Sequence, residues 1–126
     1  MLFRNLMLID DDEEDQEIFN AALGHVSNEA KCVNYSDATK ALSDLNAAQH
    51  YPDVIFLDLN MPIMNGQQFL VEIKKSQKLK HIPIIIFSTS SHAATINITK
   101  QLGAHDFVTK PGDFEKLKEI LGRLIN

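Results

Sequence analysis

The sequence contains no tryptophan and a single cysteine, Cys32, among its 126 residues. One cysteine excludes an internal disulfide and any metal site built from several thiolates. Acidic residues outnumber basic ones and give a formal net charge of −5, which argues against a nucleic-acid surface because duplex binding needs a basic patch. No apolar run approaches the roughly 20 residues of a membrane span, and no small-residue cleavage site follows the apolar start of the chain. We therefore expect a soluble, cytoplasmic protein.

Five short apolar runs, rich in branched and aromatic residues and bounded by Asp, Pro or Gly, predict five strands. They occupy residues 6–9, 32–33, 54–57, 84–87 and 107–108. The interval between successive runs leaves room for a turn and a helix of three or four turns. Five such units predict a mostly parallel sheet with right-handed crossovers and helices on both faces. The length suits one domain over residues 1–126, with no linker or low-complexity segment inside it.

The first, third and fourth runs are apolar without alternation, which is typical of strands covered on both faces. The second and fifth mix polar with apolar residues, as edge strands do. We therefore predict the strand order 2-1-3-4-5, a doubly wound, flavodoxin-like α/β fold.

The segments between the runs predict helices of unequal quality. Residues 37–48 and 113–125 carry apolar side chains at helical spacing, with Ser36 or Asp37 available as N-cap of the first and Asp113 of the second. Residues 93–100 form a weaker pattern, because four of them are β-branched and lose rotamer freedom in a helix. We expect a loosely held helix there.

Polar side chains follow the runs where the strands end, and in a parallel sheet these ends meet at one rim. The residues are Asp10, Asp11 and Asp12 after the first strand, Asp58 after the third, Ser88 and Thr89 after the fourth, and Lys110 after the fifth. Clustered carboxylates suit Mg²⁺, a carboxylate can attack phosphorus, and a lysine and a hydroxyl can hold phosphoryl oxygens. The combination predicts phosphoryl transfer.

Each of these residues also has a simpler interpretation. Residues 10–15 are six consecutive acids, and carboxylates at a helix N-terminus complement its dipole. We assign Glu13, Glu14 and Asp15 that structural role. Capping does not explain an aspartate and a lysine at two other strand ends, so Asp10 and Asp11 are assigned to the site. Cys32 is expected to be a small core residue, and Gly66 to be required by the backbone of a turn.

Four segments together resemble the receiver domain of two-component response regulators, in particular the stand-alone, chemotaxis-regulator-like members. They are residues 9–12, 56–66 and 88–90, and the pair Lys110-Pro111. The most specific is the sequence Asp-Leu-Asn-Met-Pro-Ile-Met-Asn-Gly that begins at Asp58. The resemblance extends over essentially the whole chain.

The resemblance implies that Asp58 accepts a phosphoryl group from a phosphohistidine on a sensor histidine kinase or a histidine phosphotransfer protein. It implies a Mg²⁺ cofactor bound directly by Asp11 and Asp58, by the backbone carbonyl of Asn60, and through water by Asp10. Lys110 would bind a phosphoryl oxygen.

The resemblance further implies a switch in which Ser88 turns inward to bind the phosphoryl group and Phe107 fills the space that Ser88 leaves. It implies a cis bond between Lys110 and Pro111. Three positions depart from the commonest family pattern. Ser88 replaces Thr, Phe107 replaces Tyr and has no phenol to donate a hydrogen bond, and Thr89 replaces a smaller residue and is expected to narrow access to Asp58.

With the fifth predicted helix reaching nearly to Asn126, we expect a switch or relay without an output domain. The resemblance places the partner-binding face on the fourth helix, fifth strand and fifth helix. Such a protein catalyses its own phosphorylation and dephosphorylation but is a signalling switch and not a conventional enzyme. Two alternatives remain: a receiver-like scaffold that is never phosphorylated, and a Mg²⁺-dependent aspartate phosphatase of the haloacid dehalogenase type, which carries its nucleophile after the first strand.

Overall fold

The computed structural model describes residues 3–126, in which strands and helices alternate. The elements are β1 (Asn5–Ile9), α1 (Glu13–Val26), β2 (Lys31–Tyr35), α2 (Ala38–Ala47), β3 (Val54–Leu57), α3 (Gly66–Lys75), β4 (Ile84–Ser88), α4 (Ala93–Gln101), β5 (Asp106–Thr109) and α5 (Phe114–Ile125). The strands form a single sheet in the order β2-β1-β3-β4-β5, and every neighbouring pair is parallel. The predicted fold and strand order are confirmed.

The sheet separates two apolar layers. One layer contains buried side chains of α2 and α3, among them Leu45, Phe69 and Ile73. The other contains buried side chains of α1 and α5, among them Phe19 and Leu121. All residues of β3 and β4 are buried, whereas β2 and β5 have none that is fully buried. The contrast between continuous and mixed apolar runs in the sequence therefore identified the central and edge strands correctly.

Side chains cap four of the five helices. Asp12, Asp37 and Asp113 each accept a hydrogen bond from a backbone N–H of the first turn that follows. Asn65 forms a reciprocal capping box with Gln68 at the start of α3. These bonds satisfy amides that have no partner within their own helix. α4 begins at His92, which provides no side-chain cap.

Where the loop between β3 and α3 meets the helix, the backbone requires a glycine, as the sequence predicted. A Cβ atom at Gly66 would meet the carbonyl oxygen of Asp58 and would lie 2.8 Å from the Cα of Leu59. Close approach of backbones therefore excludes a side chain at this position. The left-handed residue of the loop is Ile63, with φ of 69°, a costly conformation for a β-branched residue.

Two expectations about single residues need correction. The peptide bond between Lys110 and Pro111 is trans, since the described part of the chain has no cis peptide; trans is the intrinsically favoured isomer of such bonds. Cys32 is half-buried at the edge of the sheet and is not a core residue. It only borders the apolar layer of α1 and α5. No helix among residues 3–126 has the length and apolarity that crossing a membrane requires.

Candidate functional site

Backbone hydrogen bonds that continue the sheet beyond its strands position the site residues. The N–H of Asp10 donates to the carbonyl of Tyr35, and the N–H of Asp58 donates to that of Ile9, at 2.9 and 3.0 Å. At the β4–β5 edge of the sheet, the N–H of Lys110 donates to the carbonyl of Ser88 at 2.8 Å. The first residues after β1, β3 and β5 are therefore each held by a hydrogen bond to the neighbouring strand.

Three carboxylates converge at this rim. Asp10, Asp11 and Asp58 each bring one carboxylate oxygen within 4.8 Å of the other two. Asp10 and Asp58 are buried, at 0 and 7% exposure, whereas Asp11 is exposed. Oxygen donors at this spacing, with one open to solvent, fit the preference of Mg²⁺ for a few carboxylates supplemented by waters and phosphate oxygens.

The ammonium of Lys110 neutralises part of this cluster. Its Nζ lies 2.7 Å from Oδ2 of Asp10, 2.8 Å from Oδ2 of Asp15 and 3.6 Å from Oδ2 of Asp58. The Lys110 side chain is only 11% exposed, so these ion pairs are largely shielded from water. The same Nζ lies 5.7 Å from the ring centroid of Phe87, within the range of a cation–π interaction.

Burial and charge act on these groups in opposite directions. Burial raises the pKa of Asp10 and of Asp58. The hydrogen bond and charge of Lys110 offset only part of the rise at Asp10, and the charge of Lys110 offsets only part of the rise at Asp58. Burial also lowers the pKa of Lys110, but the bonds to Asp10 and Asp15 and the charge of Asp58 outweigh it and hold that pKa above its ordinary value. The lysine therefore stays charged, while the carboxylates lack full compensation, as expected of a site that awaits a cation.

Two contacts in this region were not predicted from the sequence. Asp15 was assigned to the helix dipole, yet its carboxylate forms a short ion pair with Lys110. Gln16 donates from Nε2 to the carbonyl of Asp10 at 2.6 Å and to Oγ of Ser36 at 3.1 Å. The sequence did contain a clue to both contacts. Asp15 and Gln16 lie in the first turn of the helix that follows Asp10, and side chains in this turn point back toward the strand ends. Glu13 and Glu14 are exposed, as expected.

The remaining predicted site residues lie around this pocket. Ser88 is buried at the end of β4, and its Oγ accepts from the N–H of Ser90 at 3.4 Å. Thr89 is exposed beside it. Asn60 is exposed in the loop after β3 and lines a cleft of about 540 Å³, whose other walls include Met61, Asn65, Ser90 and Thr95. The structure thus places Asn60 on the loop that follows Asp58 and Ser88 at the end of the neighbouring strand β4.

Phe107 lies on β5 and is half-buried against the layer of α2 and α3. It also lines a cavity of about 320 Å³ between α4 and β5. Ile96, Thr99, Lys100, Ala104, His105 and Asp106 form the remainder of that cavity. Open space is thus available beside the ring.

Comparison with known proteins gives concordant results. Residues 6–122 match the family described as response regulator receiver domain. The two-component response regulator ORR8 of Oryza sativa subsp. indica is 31% identical over 107 residues, which cover 85% of this chain and 86% of that protein. The solved structure of the phosphorylated cyanobacterial phytochrome response regulator RcpA is similar with a TM-score of 0.87 and 28% identity, covering 97% of this chain and 91% of that one. The chemotaxis response regulator CheY4 of Vibrio cholerae is similar with a TM-score of 0.80 and 24% identity, covering 97% and 98%, a likeness of fold.

Proposed function

This chain belongs to the receiver domains of two-component response regulators, which act in phosphorelay signalling, and we propose on that basis that Asp58 is its phosphoacceptor. The observation that carries the proposal is the position of the Asp58 carboxylate, buried beside Asp10 and Asp11 and 3.6 Å from the Lys110 ammonium. A nucleophile, a set of metal ligands and a fixed cation are the parts that phosphoryl transfer needs. RcpA, which was crystallised in phosphorylated form, adds support from a relative.

The donor is a phosphohistidine on a sensor histidine kinase or a histidine phosphotransfer protein. An Oδ atom of Asp58 attacks the phosphorus, the bond between phosphorus and the donor's imidazole nitrogen breaks, and the histidine leaves with the electron pair. Lys110 stabilises the charge on the phosphoryl oxygens, since lysine acts as a point charge toward phosphate. Asp58 becomes a mixed anhydride, which water later hydrolyses.

Asp11 and Asp58 would hold Mg²⁺ directly, the backbone carbonyl of Asn60 would supply a further oxygen, and Asp10 would act through water. When bound, the cation supplies neutralisation of the carboxylates and of the transferring phosphoryl group. The donor set fits this assignment because all the side-chain ligands are hard oxygens and Asp11 is open to solvent. Residues 3–126 contain no other group of three or more such side chains clustered this closely.

The signal leaves the site through Ser88 and Phe107. The hydroxyl of Ser88 donates to a phosphoryl oxygen, and the ring of Phe107 moves into the space that this leaves. The cavity between α4 and β5 supports the proposal, because it gives the ring and the helix room to shift. We place the docking face for a downstream protein on α4, β5 and α5. The chain works as a single receiver domain in the cytoplasm, as a switch and not as a conventional enzyme, and needs neither nucleic acid nor a membrane.

Intact-mass measurement after incubation with acetyl phosphate and Mg²⁺ tests the proposal. The expected result is a single added phosphoryl group on the wild-type chain and none on Asp58→Asn. Glu72→Gln, at an exposed acid of α3 far from the rim, is the matched control and should be phosphorylated normally. The absence of a phosphoryl group from wild type under saturating donor and Mg²⁺ would favour the unphosphorylated scaffold. Sustained hydrolysis of generic phosphate esters would favour the phosphatase.

Thr89→Ala tests the access route to the site. Thr89 is exposed and directly follows the buried Ser88, so we expect that removal of its methyl and hydroxyl admits small donors more easily. We expect faster phosphorylation by acetyl phosphate. An unchanged or slower rate would contradict the steric explanation.

A further inference from the structure

The ammonium of Lys110 is shared unequally among three carboxylates. It has three N–H donors, and its two hydrogen bonds go to Asp10 at 2.7 Å and Asp15 at 2.8 Å. Asp58 lies 3.6 Å from the same atom, beyond the range of a hydrogen bond. In this arrangement, therefore, the lysine is bonded to Asp15 and not to the residue that is phosphorylated.

Apart from complementing the dipole of α1, Asp15 has no other evident role. It does not belong to the group of carboxylates that could hold a metal ion. The N-terminus of α1 is already capped by Asp12, which accepts from the N–H groups of Glu14 and Asp15. Unlike Asp10, whose side chain is 1% exposed, Asp15 is 35% exposed, so it can exchange its bond to Lys110 for water at moderate cost.

We propose that Asp15 is a competing counter-ion for Lys110, which occupies the ammonium while Asp58 is unmodified and opposes the arrival of a phosphoryl group. This inference rests on the proposed function. A phosphoryl oxygen that accepts from the same Nζ would lie within about 5.6 Å of the Asp15 carboxylate, twice the length of one such bond. Two anions at that separation repel each other. Asp15 is thus a positioning residue that biases the site toward the unmodified state.

The same carboxylate should have the opposite effect on the cation. A negative charge beside the cluster attracts Mg²⁺ whether or not it is a ligand. Replacing Asp15 should therefore weaken Mg²⁺ binding and strengthen the binding of a phosphoryl-like anion. A variant that merely loosened the fold would weaken both, so the opposite signs distinguish competition from structural damage.

The experiment compares Asp15→Asn with Glu14→Gln. Both remove one negative charge from the first turn of α1, but Glu14 is exposed and makes no side-chain hydrogen bond or ion pair within the described chain. Titration calorimetry measures the Kd for Mg²⁺ alone. Fluorine NMR then measures the apparent Kd for beryllium fluoride, a phosphoryl analogue, at saturating Mg²⁺.

For Asp15→Asn we expect the Kd for Mg²⁺ to rise about two- to threefold and the Kd for beryllium fluoride to fall about three- to tenfold, the scale of a partly screened ion pair. Glu14→Gln should change neither constant by more than about twofold. In a Lys110→Met background, the Asp15→Asn effect on beryllium fluoride should shrink to that of the control, because the shared cation is gone.

Equal constants for Asp15→Asn and Glu14→Gln, or changes of the same sign for both ligands, would overturn the inference while the wild-type chain still binds the analogue. If wild type binds no beryllium fluoride and gains no phosphoryl group from acetyl phosphate, the proposed function itself fails and the inference fails with it. The wild-type measurements therefore separate the two failures.

Discussion

α2 and α4 accompany the two edge strands of the sheet, β2 and β5, and have nearly the same length, ten and nine residues. Asp37 caps α2, which buries Ala38, Ala41 and Leu45. α4 has no side-chain cap and buries only Thr99, whose hydroxyl donates to carbonyls of its own helix. Cavities of about 360 and 320 Å³ lie beside the two edges, so open space alone does not distinguish them.

The difference lies in how firmly each helix is attached. Tyr35 of β2 donates from its hydroxyl to Asp44 of α2 at 2.7 Å, which ties that helix to its strand. Between α4 and β5 no side-chain hydrogen bond is present in the described chain. Local unfolding is easiest where few apolar side chains are buried. The edge with the proposed output face is thus the one that can change its packing at low cost.

The largest expected effect comes from truncating one apolar side chain on each helix, which tests whether α2 is held more firmly than α4. Leu45 of α2 is 2% exposed, whereas Ile98 of α4 is 44% exposed. Leu45→Ala should lower the free energy of unfolding by about 2–5 kcal/mol, and Ile98→Ala by no more than about 0.5 kcal/mol. Urea denaturation followed by circular dichroism measures both. Similar losses for the two variants would mean that α4 is as well anchored as α2.

Much of this contrast could be predicted from the sequence. The four β-branched residues in 93–100 indicated a weak helix, and Asp37 was one of two candidate caps for the strong one. Both predictions rest on local rules, in which a residue and its near neighbours determine the result. The left-handed Ile63 was missed because φ there depends on how the loop after β3 closes against α3.

Hydrogen exchange should resolve the two helices directly. Amides of α4 are expected to exchange at least about tenfold faster than those of α2, since opening α4 exposes less apolar surface. Addition of beryllium fluoride and Mg²⁺ should change protection in α4 and leave α2 unchanged if phosphorylation biases the packing of α4. Exchange across residues 93–100 that is insensitive to the analogue would contradict a switching role for this helix.

Removing the N-cap of α2 and adding one to α4 should change the free energy of unfolding by smaller amounts. Asp37→Ala removes the acceptor for the N–H and hydroxyl of Thr39 and should cost about 1 kcal/mol. His92→Asp supplies α4 with the cap it lacks and should add about 0.5–1 kcal/mol, because its carboxylate also complements the helix dipole. His92→Ala is the control and should be close to neutral. A destabilised His92→Asp protein would show that α4 starts elsewhere in solution.

The site shows where prediction from the sequence ends. The strand-end rule indicated that Asp10, Asp58 and Lys110 meet at one rim, because all parallel strands end there. It could not indicate that Asp15 shares the lysine, because Asp15 lies in the first turn of α1 and not at the end of a strand. The charge run around Asp15 has an equally good explanation in the helix dipole. An ion pair between a helix and a distant strand depends on how the two elements pack, and a local sequence pattern does not predict that packing.

The smallest expected effect concerns pH at the β2 edge. The hydrogen bond from Tyr35, aided by Lys40, holds the pKa of the Asp44 carboxyl below its ordinary value. A carboxyl whose folded pKa is lowered stabilises the fold above the unfolded value of about 3.9, and this contribution is lost as the pH falls through the lower folded value. Tyr35→Phe removes the donor, so it should be less stable than wild type at pH 7.

The deficit of Tyr35→Phe should narrow as the pH falls below about 4, because Asp44 becomes protonated first in the unfolded chain and then, as the pH reaches its lowered pKa, in the folded wild-type protein. Urea midpoints measured between pH 3 and pH 7 test this. Tyr51→Phe is the matched control. Tyr51 lines the cavity of about 360 Å³ beside β2, as Tyr35 does, but it makes no side-chain hydrogen bond in the described chain. The effect of Tyr51→Phe on stability should therefore not depend on pH. A Tyr35→Phe deficit that stays constant over the range would show that the ring's packing, and not its bond to Asp44, anchors α2 to β2.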